Sequence, residues 1–157
     1  MVSPLVVGFD GSPESIDALA AAADLAALSG RGVIVVHVRH ANALLASGTV
    51  AEPGAGPALG DALAQLEAFS RDQAKIVMRE RNVDWRFDTA EGDPARALIA
   101  AALDNAAAGI IVGGHRHGVV GGLVAGSVAQ KLVRHSPVSV YVVRAGEPHL
   151  LPVGAAL

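Results

Sequence analysis

Apolar runs and helical periods alternate along the chain. Leu5-Val6-Val7-Gly8-Phe9 is continuously apolar, which predicts a strand covered on both faces. Asp10-Gly11 ends that strand. In the helix that follows, Ser12 can cap, Pro13 suits the first helical position, and Glu14 faces the positive dipole end. Ile16, Leu19, Ala20, Ala23 and Ala27 recur at helical spacing as its inner face, and Gly30 is a natural stop. Gly32 to Val38 is β-branched and predicts a second buried strand. Arg39 to Gly60 holds Ala, Gly, Ser and two prolines without a period, which predicts a long connection of the functional or mobile kind. From about Asp61 to Arg81 the helical period returns. Leu63, Leu66, Ala74 and Val77 face inward there, while Arg71, Asp72 and Arg79 face solvent.

Val83 to Thr89 alternates apolar and polar residues, as an outer strand does. Asp93-Pro94 repeats the cap-then-proline signal before a helix over Ala95 to Asn105. Gly109 to Gly113 is a further buried strand. A last helix runs to Arg134, Pro137 follows it, and Val138 to Val143 is the final strand. The order β-α-β-α-β-α-β-α-β predicts a Rossmann-like α/β domain over residues 1–143, with a loose tail at 144–157. Its parallel sheet has helices on both faces. With the first strand central and the fourth beside it, the strand order is 3-2-1-4-5. The binding crevice then opens between Asp10 and Gly113, at the carboxyl ends of the strands.

Composition narrows the chemistry. Hydrophobic residues make up 52% of the 157 and aromatics only 3%, so Ala, Val and Leu build the core. The net charge of −3, with no basic stripe, argues against nucleic acid as a partner. The chain has no cysteine, which excludes disulfides, thiol catalysis and zinc–thiolate sites. The N-terminus lacks a basic segment before an apolar core, and Asp17 and Asp24 interrupt the Ala-rich run. A soluble cytoplasmic protein without a membrane partner is the expectation.

The most chemical segment is Gly113-Gly114-His115-Arg116-His117-Gly118, continuing through Gly121-Gly122 to Gly126-Ser127. A strand, a glycine-rich loop and a helix start are the parts of a phosphate cradle: backbone approaches closely and amides face the anion. Ser127 is read as the N-cap. Turn geometry alone accounts for such glycines equally well. Asp10 is either a ligand contact or a turn residue. His115 and His117 have no partner residues that complete a metal set. His37 reads as structural and Trp85 as an outer-strand packing residue. No nucleophile, base and orienter converge into a catalytic constellation.

Val7-Gly8-Phe9-Asp10-Gly11-Ser12, Val35-Val36-His37-Val38, Glu91-Gly92-Asp93-Pro94, and Gly126-Ser127-Val128 with Arg134-His135-Ser136-Pro137-Val138 stand in a specific order and spacing. Together they resemble the universal stress protein family, the UspA-like nucleotide-binding domains, over Leu5 to Val143. The resemblance implies ATP or AMP, with Mg²⁺ as a companion of the triphosphate. It implies adenine near Asp10 and the backbone of Val38. It places phosphates at Gly113, Gly126 and Ser127, with Val112 and Val128 flanking. The family's motif has a second glycine where this chain has Arg116. That side chain either bars the conformation a glycine would take or pairs with phosphate through its guanidinium. The implied function is a nucleotide-binding regulator or sensor. The alternatives are a dimeric interaction scaffold of the same fold that binds no nucleotide, and a slow ATP hydrolase. The resemblance also implies a homodimer joined through the edge strand Val138 to Val143.

Overall fold

The computed structural model describes residues 2–40, 56–114 and 126–146. Strand β1 is Leu5–Gly8, helix α1 Pro13–Ser29, β2 Val33–Arg39 and α2 Gly56–Met78. There follow β3 Trp85–Glu91, α3 Pro94–Asp104, β4 Gly109–Gly114, α4 Ser127–His135 and β5 Ser139–Arg144. The sheet has five strands in the order β3-β2-β1-β4-β5, as anticipated. Its ladders are all parallel: Leu5 lies opposite Val33 and Gly109, Val33 opposite Trp85, and Gly109 opposite Ser139.

The period of a strand divides the core in two. Leu5, Val7, Val33, Val35 and Ile111 point to one face, where the alanines of α1 pack with Ala74 and Met78 of α2. Val6, Ile34, Val36, Ile110 and Val112 point to the other, against Ala95, Leu98 and Ala102 of α3 and Ala129 and Leu132 of α4. Small side chains let the helices lie close to the sheet.

The capping signals stand where the sequence places them. Ser12 is extended and accepts the amide hydrogen of Ser15, with Pro13 beginning α1. Asp93 accepts the amide hydrogen of Arg96 ahead of Pro94. Gly30 closes α1 at φ 63°, a left-handed conformation that glycine adopts without a Cβ penalty. Helix faces differ in detail. Ala26, not Ala27, is buried in α1, following Leu19, Ala22 and Ala23 along one ridge. In α2 the inner ridge is Ser70, Ala74 and Met78, whereas Leu66 is exposed. Helix α2 also begins five residues earlier than the periodicity indicates. Three-residue turn bonds, Arg79 N–H to Ile76 and Arg81 N–H to Met78, wind it down before Arg81. Residues 41–55 of the expected connection, and the tail from 147 onward, lie outside the described residues. Arg144 ends β5 instead of opening the tail, and Gly146 donates its N–H to Asp17 at 2.9 Å. Among the described residues no helix is long and apolar enough to cross a membrane.

Candidate functional site

At the carboxyl ends of β1, β2 and β4 the sheet opens into a cleft of about 420 Å³. Asp10, Val38, Val112, Gly113, Gly126, Ser127 and Val128 all line it. The structure therefore brings together every anticipated site residue except Arg116, which lies outside the described residues. Leu63 and Leu66 of α2 and Leu98 of α3 supply an apolar lining. A second cleft of about 660 Å³ continues from the first, sharing Arg39, Pro94, Ser127 and Val128 and adding Asp93 and Lys131.

The loop after β1 is built from short polar links. The Asp10 carboxylate accepts the Ser12 N–H at 2.9 Å, and the Asp10 N–H donates to the Ser15 hydroxyl at 3.4 Å. The Ser15 hydroxyl donates in turn to the Ser12 carbonyl at 3.0 Å. Partial desolvation raises the carboxyl pKa of Asp10. Hydrogen bonds from Ser12 and Ser15 outweigh it, and the net result is below the usual carboxylate range. An ionised carboxylate thus stands at the rim of the cleft. The helix cap itself is Ser12, so Asp10 is a turn residue, its carboxylate held by the Ser12 N–H.

On the other side, Gly113 meets the first turn of α1. A Cβ there would fall 2.8 Å from the Cβ of Glu14 and nearer still to its carbonyl. The glycine is required by packing whether or not an anion is present. Helix α4 corrects one expectation: its N-cap is Gly126, with an extended ψ of 164°, and Ser127 is the first helical residue. No side chain bonds to this cap, unlike those of α1 and α3. Because Gly126 already occupies the non-helical position, the Ser127 hydroxyl is displaced by one residue from the geometry that caps. Ser127 is exposed, at the mouth of the cleft.

Two features escape a reading of local sequence. Arg39, at the end of β2, donates to Glu67 of α2 through Nε at 2.8 Å and also through its terminal nitrogen. Arg71 joins the same carboxylate at 2.9 Å. The Arg39 bond foremost, with Arg71 and Thr89 adding to it, outweighs desolvation and lowers the Glu67 pKa to about 2. His37 is 6% exposed and lines the cleft, its Nδ1 lying 3.2 Å from the Phe9 carbonyl. Its ring stacks with Phe87, over which Arg71 lies. Only the alternation of β2, which puts His37 on the α1 and α2 face with Val33 and Val35, could have marked it. Among the described residues no group of three or more His, Asp or Glu side chains can hold a metal ion. His115 and His117 lie outside those residues.

Known proteins are similar to this chain in sequence or in fold. The stress response protein NhaX of Bacillus subtilis (strain 168) is 26% identical over 162 residues, covering 89% of this chain and 96% of its own. A universal stress protein crystallised in complex with cAMP is 24% identical, with a TM-score of 0.62 over 92% of this chain and 98% of that one. The universal stress protein from Archaeoglobus fulgidus in complex with dAMP is 21% identical, with a TM-score of 0.64 over 90% of this chain and 97% of that one. At these structural identities the likeness carries the fold alone. Residues 1–144, by contrast, match the Universal stress protein family itself, and the chain belongs to that family.

Proposed function

We propose that this protein binds an adenine nucleotide, ATP or AMP, in the cleft above β1, β2 and β4 and acts as a regulatory or sensor module. The observation that carries the reading is the start of α4. Gly126 caps it without a side-chain bond, and exposed Ser127 and the Val128 backbone border the cleft. First-turn amides with no capping side chain favour an anion, and the helix dipole adds to the attraction. The Asp10 carboxylate and the end of β2 stand opposite, suited to the hydrogen-bond donors of a base or ribose. The cAMP and dAMP bound by two proteins of the same fold support the same ligand class. Mg²⁺ enters only as the companion of ATP.

The packing of Glu14 on Gly113 favours a second reading, in which the fold is an interaction scaffold and the cleft binds no nucleotide. Either reading accommodates a homodimer through β5, which forms one edge of the sheet and exposes Tyr141. Native mass spectrometry of freshly purified protein, with calorimetry on adding MgATP, separates the two. Co-purified adenine nucleotide or saturable heat supports the nucleotide module. Neither signal in folded protein leaves the scaffold. Light scattering giving a monomer mass would exclude the homodimer.

A further inference from the structure

The start of α4 stands on a boundary. Ser127 and Val128 line the cleft above β1, β2 and β4, and they also line the second cleft of about 660 Å³ beside it. An anion seated there has room on two sides. The phosphates of a mononucleotide would occupy the boundary and make no use of the larger cleft. A pyrophosphate that joins two organic groups would use both.

The two clefts differ in chemistry. Leu66, Leu98 and Val112 give the first an apolar wall of the kind a base requires. The second is lined by the charged side chains of Arg39, Glu91, Asp93 and Lys131. Two cations among two carboxylates suit neither a further free anion nor an apolar group. Hydroxyl groups both donate and accept, so they can meet either sign.

These side chains stand close to the boundary. Lys131 follows Ser127 by one turn of α4, on the same face. Its ammonium donates to one Asp93 oxygen at 2.8 Å, and the other oxygen accepts the Arg96 N–H at 3.1 Å. An ammonium has three donors, and Asp93 takes one. Glu91 ends β3, two residues before Asp93 caps α3. Its side chain is 79% exposed and lies 3.7 Å from Arg39. Exposed pairs of this kind are weak, so Lys131 and Glu91 can turn to a ligand at little cost.

We propose that the second cleft holds the terminal sugar of a nucleoside diphosphate sugar. Its adenosine lies in the first cleft and its pyrophosphate crosses the start of α4. Lys131 donates to the hydroxyls of that sugar, and Glu91 accepts from them. This rests on the nucleotide reading above and extends it from ATP or AMP to a ligand with a second sugar.

The test is calorimetry of ADP-ribose against the β-methyl ester of ADP, which has the same pyrophosphate charge and lacks the sugar. Wild type should bind ADP-ribose about tenfold more tightly, the worth of one hydrogen bond to a charged group. In Glu91→Ala and in Lys131→Ala that advantage should shrink severalfold. Saturation-transfer NMR on the wild type needs no variant to fold: protons of the second ribose should receive magnetisation from the protein as strongly as those of the first. Equal affinity for the two ligands, an advantage that survives in both folded variants, or a second ribose that receives little magnetisation overturns the sugar site. In each of those outcomes the methyl ester still binds, and the nucleotide reading stands. Wild type that binds neither ligand overturns the nucleotide reading itself, and this proposal with it.

Discussion

The first turn of α1 rests directly on β4: a Cβ on Gly113 would meet the Glu14 Cβ at 2.8 Å and the Glu14 backbone closer still. Backbone cannot rotate away as a side-chain tip can. This glycine, near the carboxyl end of β4, is thus held by helix–sheet packing. That contact fixes the height at which the Ser12–Ser15 turn meets the cleft.

Gly113→Ala should therefore destabilise the free protein by about 1–3 kcal/mol, as overpacking does. Urea denaturation without nucleotide measures it. An unchanged midpoint would mean that α1 lifts away at no cost, and the glycine would then have to be explained by a ligand.

Ser12→Ala removes the side-chain acceptor for the Ser15 amide and should cost about 1 kcal/mol. Ser12→Gly should cost only a few tenths, because glycine is tolerated at the cap. Thermal unfolding followed by circular dichroism ranks the two. A larger loss for glycine would point to backbone entropy, not the cap, as the source.

The cap signals at Ser12-Pro13 and Asp93-Pro94 were legible because capping is local, a matter of three or four successive residues. The alternation of elements made a parallel sheet legible, whereas the order 3-2-1-4-5 rested on taking the first strand as central, which no local pattern decides. Ala27 and Leu66 were misplaced because one residue turns a helix by about 100°, and the neighbour that α1 or α2 packs on decides the face. Ser127 was misread by one position, since which residue takes the extended cap conformation depends on how the loop enters. His37 was read as structural, but its contact with Phe9 and that of Glu67 with Arg39 were not legible, for a different reason. Their partners, Phe9 and Arg39, are each 28 residues away and meet them only once β1, β2 and α2 have packed together.

Glu67 ties acid stability to the cleft wall. Its folded pKa of about 2 lies below its usual value of 4.5, so its contribution is fully present above pH 4.5. It fades as the pH falls from 4.5 toward 2, where the folded state must also take up the proton. Glu67→Gln should be less stable than wild type at pH 7, with the gap closing across that window. Urea midpoints at pH 7, 4 and 2.5 give the comparison. A gap independent of pH would assign the loss to packing of α2 and not to the Arg39 and Arg71 bonds.

Ser127→Ala distinguishes a ligand contact from a structural cap. Ser127 is exposed, stands first in α4 and makes no capping bond. Alanine is the best helix former, so stability should stay within about 0.5 kcal/mol of wild type. A hydroxyl donating to a charged phosphate contributes about tenfold or more in affinity, so ATP binding should weaken by at least about tenfold while adenosine, which has no phosphate, is unaffected. Gly126→Val probes the same point sterically: a branched side chain at the cap crowds an anion seated on the amides. Calorimetry with ATP and adenosine, paired with urea melts of each variant, reads both consequences. If Ser127→Ala instead lost about 1 kcal/mol of stability at unchanged ATP affinity, the hydroxyl would be a cap in solution, and the α4 terminus would hold nothing that the fold does not already supply.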